Sequence, residues 1–425
     1  MMNKSPAFFP FLAVCALGVI PGLAAPSTAS VVPTVGYRLQ RDVLFEGFDG
    51  KTCWMHPRAG AIPGKTPVVV MTLQKELMGS DDYYFPLNEI RTEDLGATWS
   101  KPVQHDVTLG RKSLADGVEV AALDFTPKWH ARTERILGIG HSAYYQHVKL
   151  MKVRPRQTIY AVYDAQAHTW SQWQKIDMPD EQGKFFNSGA GAAQRVDLPN
   201  GDILLPFYFK SKEQEDYRVA VMRCSFDGKK LSYREHGNEL VSGIERGFVE
   251  PSLTRFQGRY FMTIRNDRNG YITTSTDGLQ YAKPQVWRFD DGQELGSYNT
   301  QQHWVTHSDG LFLVYTRKGA NNDHIIRHRA PLFIAQVDPD RLCVIRGTEK
   351  ILLPELGAYF GNFGVTEVNE NETWVTDAEG MIRVDMNKYA ARNRVYAARL
   401  IWEKPNRLMS AGAVESPVTP AAQSK

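Results

Sequence analysis

The sequence predicts an all-β propeller, a ring of small antiparallel sheets, and three observations carry that prediction. Helical periodicity is nearly absent, its best candidate being a turn or two around Pro339 to Leu342. Short apolar, β-branched runs recur instead, each opened by a turn residue. Between them returns one degenerate turn, an Asp followed by Gly or another turn former and backed by a large aromatic side chain.

The clearest copy of the turn is Thr92-Glu93-Asp94-Leu95-Gly96-Ala97-Thr98-Trp99. The Asp side chain can bond backbone N–H groups, Gly supplies positive φ, and Trp buries its ring against a neighbouring sheet. Weaker copies are Asp164 with Trp170, Asp227-Gly228 with Tyr233, Asp277-Gly278 with Tyr281 and Trp287, and Asp338-Pro339-Asp340. The aspartates at 94, 164, 227, 277 and 338 stand 70, 63, 50 and 61 residues apart, the recurrence of a propeller blade with variable loops. A single copy would be an ordinary hairpin turn; five in register with strands make a repeat.

The expected strands run over 67–72, 118–123, 135–140, 202–208, 259–265, 311–317 and 373–376. They make six units, with seven as the other count, and leave strands around 35–45 and 395–402 to close the ring. The inserts 106–117 and 179–191 are then loops on a propeller face, where binding sites are shaped.

The flanks read differently. Residues 1–30 combine Lys4, an apolar run from Ala7 to Leu23 too short for a membrane span, and small residues at Leu23-Ala24-Ala25, which is the pattern of a cleaved export signal. The protein is therefore expected to be secreted or periplasmic, with a single propeller domain over 31–403. A Pro-, Ala- and Ser-rich tail over 404–425 is expected to be loose. Beyond the signal, Cys53, Cys224 and Cys343 form an odd set, which excludes a disulfide scaffold. Charged residues at 23% and a formal charge of +3 leave no nucleic-acid stripe and no second hydrophobic span.

The turn module resembles the Asp box of the sialidase (neuraminidase) superfamily, and the order of strand and box is similar to that family's β-propeller over about 35–402. The resemblance implies three arginines clamping a carboxylate, an Asp acid, and a Tyr nucleophile activated by a Glu. Arg58 in His56-Pro57-Arg58-Ala59 is similar to the first clamp, and Asp82, with Asp81 as its alternative, falls where the acid belongs. Glu250 in Val249-Glu250-Pro251 and Arg265 in Thr263-Ile264-Arg265 match the Glu and the second clamp. Arg317, with Arg327 or Arg329 as substitutes, and Tyr359 complete the order. This implies an exo-acting glycoside hydrolase on an anionic glycan.

A second set resembles the propeller-shaped ulvan lyases. His141, Tyr208 and Arg223 would perform β-elimination on a uronate polymer, Arg neutralising the carboxylate while His and Tyr move protons. A non-catalytic glycan-binding propeller is the third reading. Gln302 and His303, in Tyr298-Asn299-Thr300-Gln301-Gln302-His303-Trp304, are expected to contact sugar. No cofactor is required; a zinc site from His303, His324, His328 and Cys343, or a structural calcium ion, is the alternative. The expected partner is an anionic oligo- or polysaccharide met by a monomer.

Overall fold

Six antiparallel sheets follow one another along the chain in the computed structural model, which describes residues 1, 32–80 and 82–411. The expected export signal, the alternative acid Asp81 and the end of the tail lie outside the described residues. The inner strands of the first five sheets are Thr52–Ile62, Val118–His130, Asn187–Gly189, Val249–Phe256 and His303–His307, the second edged by the short Lys112–Ser113, and the chain steps outward from them. The sixth starts at Gly364–Asn369, passes through Glu372–Ala378 and Arg394–Trp402, and takes its outer strand, Tyr37–Glu46, from the other end of the chain. That pairing closes the ring, and the innermost strand of the sixth sheet packs beside that of the first.

This closure explains why six sheets share five turns. The turn joins the third strand of a sheet to its outer strand, and in the sixth sheet that outer strand arrives from the N-terminal side. At the other five positions the local chemistry is repeated. Asp94 accepts the Thr98 N–H at 2.9 Å and both the Thr92 and Thr98 hydroxyls. Asp164, Asp227, Asp277 and Asp338 each accept two successive backbone N–H groups at 2.7–3.0 Å. Gly96, Gly228 and Gly278 have φ of 83°, 92° and 80°, the left-handed turn that a side chain resists.

The aromatic anchors join sheets to each other. Trp99 meets Trp374 of the sixth sheet with centroids 6.1 Å apart, and Trp170 donates its indole N–H to Glu89 of the first sheet at 2.9 Å. Trp374 is fully buried and itself donates to Glu372. Its replacement by Ala is expected to lower stability by about 3–5 kcal/mol, measured by urea unfolding, because the ring fills the seam where the propeller closes.

No helix among the described residues is long and apolar enough to cross a membrane. The segment after Glu403 is also tied down further than its composition suggests. Asn406 donates to the Thr306 carbonyl and the Lys404 carbonyl bonds His307, so the chain stays fastened through Asn406.

Candidate functional site

The inner strands of the first, second and fourth sheets each contain a β-bulge, and each bulge carries an ionisable residue with positive φ. They are His56 (57°), Asp124 (50°) and Glu250 (46°). A bulge rotates its side chain out of the strand's alternation, and a non-glycine residue in this region stores about 1–3 kcal/mol of strain. All three aim at the hub.

Around Asp124 gather Arg58, whose Nη2 donates at 2.9 Å, and the Nε2 atoms of His56 and His141 at 3.7 and 3.9 Å. Arg58 also donates to the Gln301 side chain at 3.1 Å and the Phe363 carbonyl at 3.2 Å. Gly364 makes room for it, since a Cβ there would stand within 3.0 Å of the Arg58 backbone and stem. Burial alone would raise the Asp124 carboxyl, but His56, Arg58 and His141 outweigh it and hold the group below the usual carboxylate range.

Glu250 forms the second centre. Arg265 Nη1 lies 2.7 Å from both of its oxygens, and Arg265 Nη2 donates to the Asn299 side chain at 2.6 Å. The Asn299 carbonyl in turn accepts Arg329 Nε and Nη2 at 3.1 and 2.6 Å. Burial, then the neighbouring Arg265 and Arg327, lower Arg329 to about 10, while Glu250 and Tyr359 pull the other way. Arg156 completes the set, stacked over the Tyr208 ring at 4.8 Å.

Four guanidiniums, those of Arg58, Arg156, Arg265 and Arg329, are thus at most 8% exposed. They are matched chiefly by Asp124 and Glu250, with Asp267 at the rim. Arg58 Nη1, Arg156 Nε and Arg265 Nε are buried with no hydrogen-bond partner. Unpartnered buried donors are rare, and three of them on clustered guanidiniums set this hub apart from an ordinary ion-pair network.

Tyr359 lies on the adjoining wall, its backbone paired to Gly380 and its ring over that glycine. Burial pushes its phenol well above the usual range, the Glu76, Cys53 and Asp82 groups push the same way, and Arg329 opposes them. Asp82 anchors the rim through its carbonyl, which accepts the Tyr145 hydroxyl at 2.7 Å, and its carboxylate also acts on Tyr84, whose ring lies 4.7 Å from His56. Arg58, Asp82, Glu250, Arg265 and Tyr359 therefore border one hub, as do His141 and Tyr208, with ring centroids 6.4 Å apart.

Other expected residues go elsewhere. Arg317 pairs with Glu349 through Nη2 and Nε at 2.6 and 2.9 Å and lies over Phe333, an outward ion pair, so Arg329 takes the place at the hub that its position suggested. Arg223 pairs with Glu235. It sits opposite Leu204, whereas Tyr208 sits opposite Val219, which puts it four residues, roughly 13 Å, along the sheet from the hub end. Gln302 is bonded to Thr263 and Ser297, and its neighbour Gln301, also just ahead of the strand, meets Arg58 in its stead. His303 is buried against Phe363 and shares a 2.5 Å bond with Ser252. For the zinc alternative, His324 pairs with Glu355, His328 with Asp323, and Cys343 is on an outer strand. No cluster of three His, Cys, Asp or Glu able to hold a metal occurs among the described residues.

Sequence reasoning missed His56, Asp124 and Arg156. The signal for two of them was present: Asp124 interrupts the apolar run Val120-Ala121-Ala122-Leu123-Asp124-Phe125, and His56 interrupts Cys53-Trp54-Met55-His56. Arg156 has no such mark and becomes visible only through its stack on Tyr208.

Four of these buried groups set a pH dependence of stability. Burial lowers His56 to about 4 and His303 to about 3 from an ordinary 6.5, so the unfolded chain takes up protons first and stability falls as pH drops below 6.5. Burial raises Glu76 to about 8 from 4.5 and Asp377 to about 7 from 3.8, so here the unfolded chain ionises first and stability falls as pH rises. Below about 6.5 the two pairs act in opposite directions, with His141, also lowered by burial, on the histidine side, and above that the carboxyls act. The unfolding midpoint is expected to decline from pH 6.5 to 8, and Glu76→Gln is expected to flatten that decline in differential scanning calorimetry. An unchanged slope would clear Glu76 of the effect.

A propeller with a buried arginine and carboxylate hub defines the class of molecule. No family model matches the chain, and no curated protein does. Solved structures match along most of its length. A protein of unknown function from Dyadobacter fermentans is 12% identical with a TM-score of 0.57, over 86% of this chain and 99% of that one. Trypanosoma rangeli sialidase is 14% identical with a TM-score of 0.57, over 85% of this chain, which spans 59% of the sialidase. The K499G mutant of NanB sialidase from Streptococcus pneumoniae is 11% identical with a TM-score of 0.56, over 84% and 70%. The chain has the β-propeller fold of the sialidases; identities this low speak to fold alone.

Proposed function

We propose that this protein is a glycoside hydrolase of sialidase type that releases a carboxylate-bearing sugar from an anionic glycan. The observation that carries the proposal is the hub's four buried guanidiniums, three with an unused buried donor, where a carboxylate would complete the charge balance. A structural neighbour, the Trypanosoma rangeli sialidase, has been solved in complex with sialic acid at 13% identity and a TM-score of 0.54, over 91% of this chain and 64% of that one.

In this reading Arg58, Arg265 and Arg329 hold the carboxylate and fix the ring. Asp82 gives its proton to the glycosidic oxygen as the bond to the leaving group breaks. The Tyr359 oxygen attacks the anomeric carbon and its proton passes to Glu250. Both Glu250 and Tyr359 act on the Arg329 guanidinium, and that shared neighbour supports Glu250 as the acceptor. Water then cleaves the tyrosyl glycoside, giving its proton to Asp82 as it attacks the anomeric carbon, while the released Tyr359 oxygen takes its proton back from Glu250. Incubation with an aryl sialoside and an aryl glucuronide, with the free sugar quantified, tests the proposal. Release of a free acidic sugar is expected, and release from neither removes it.

His141, Tyr208 and Arg156 favour a second reading. Their contacts supply the imidazole, phenol and guanidinium of a uronate lyase, with Arg156 in the role first given to Arg223. A lyase leaves an unsaturated uronate, so a rise in ultraviolet absorbance on ulvan would select it. A propeller that only binds glycan would give neither product.

A further inference from the structure

Beside the hub, residues around 323–328, Gly357 and Ile382-Arg383 enclose a hollow of about 310 Å³, at the small end of ligand sites. Tyr359 is part of its wall. The next residue, Phe360, donates its backbone N–H to the Arg329 carbonyl at 2.6 Å, so Tyr359 stands between the hollow and the hub.

The lining fits a charged sugar. Ile325, Ile326 and Ile382 offer an apolar floor for the C–H face of a ring. The titratable groups are Arg327, Arg383, His324 and His328, against Asp323. His328 is held between the Tyr298 hydroxyl at 2.6 Å and Asp323 at 3.2 Å, and His324 between Glu355 at 3.3 Å and the stacked Tyr389 ring. The acidic groups are thus committed to histidines, and Arg327 and Arg383 have no ion pair among the described residues. Arg327 and His328 both have positive φ, 55° and 52°, a strained reversal that separates Arg327, facing the hollow, from the buried Arg329 two residues on.

We propose that this hollow binds the leaving-group unit and selects one that is itself anionic, through Arg327 and Arg383, so that the natural substrate is a polyanionic glycan. The direction in which the chain runs rests on the hydrolase reading above; the recognition itself does not.

Binding is therefore measured apart from turnover. The full chain carrying Tyr359→Phe is titrated calorimetrically with 3′-sialyllactose, whose second unit is neutral, and with α2,8-linked disialic acid, whose second unit carries a carboxylate. The disialic acid is expected to bind roughly tenfold more tightly, the effect of one charge-assisted contact. In Arg327→Ala and Arg383→Ala, both exposed substitutions that leave the core alone, that ratio is expected to fall toward unity. Equal affinities for the two sugars, a ratio indifferent to both substitutions, or no binding of either sugar overturns the inference. Turnover by the unsubstituted protein judges the hydrolase reading separately.

Discussion

Tyr359→Phe is expected to lower kcat on a cleavable sialoside roughly 10³-fold with little change in stability. The substitution deletes only the hydroxyl; the ring still covers Gly380 and stays in the same apolar cluster with Phe360 and Met381. The hydroxyl is a costly group to leave in this place unless it is used. Burial and the Glu76, Cys53 and Asp82 groups all oppose its ionisation, and only Arg329 favours it. A nucleophile so placed must lose its proton as it attacks, which is why Glu250→Gln should reduce turnover as well. Steady-state kinetics, with mass spectrometry of the quenched enzyme for a sugar attached to Tyr359, decide the matter. Turnover at the unsubstituted rate would remove Tyr359 from the chemistry.

The second large effect is expected at Arg58. Arg58→Met leaves Asp124 buried between two histidines without its guanidinium, which should destabilise the fold by about 3–5 kcal/mol, and it should lower kcat/KM on a carboxylate-bearing substrate about a hundredfold. The two effects have different origins and can be separated. Adding Asp124→Asn removes the stranded charge, so the double variant is expected to regain most of the stability and none of the activity. Recovery of both together would mean that Arg58 serves only to neutralise Asp124.

The spacing of the five turn aspartates carried the architecture because such turns are local: an Asp, a following N–H and a glycine lie within four residues of each other. Residues fixed by the strand on which they sit were legible for the same reason. Glu250 and Arg265 face each other across one hairpin, 15 residues apart, and pair as their order implies. Arg317 and Arg223 also sit at or beside apolar strands, but each found a carboxylate nearer than the hub, Glu349 and Glu235, which no pattern in the sequence ranks against a distant alternative.

Sequence by itself determined the ring of antiparallel sheets, its closure by the strand Tyr37–Glu46, and the arginine and carboxylate composition available to the centre. Tertiary structure alone decided which of those groups meet. The hub is assembled from strands of four sheets and loops of the other two, so its geometry depends on where inner strands bulge and how far each chain segment turns before reaching the axis. His56, Asp124 and Glu250 point inward because single residues flip to positive φ, a local choice made by the packing of the whole ring.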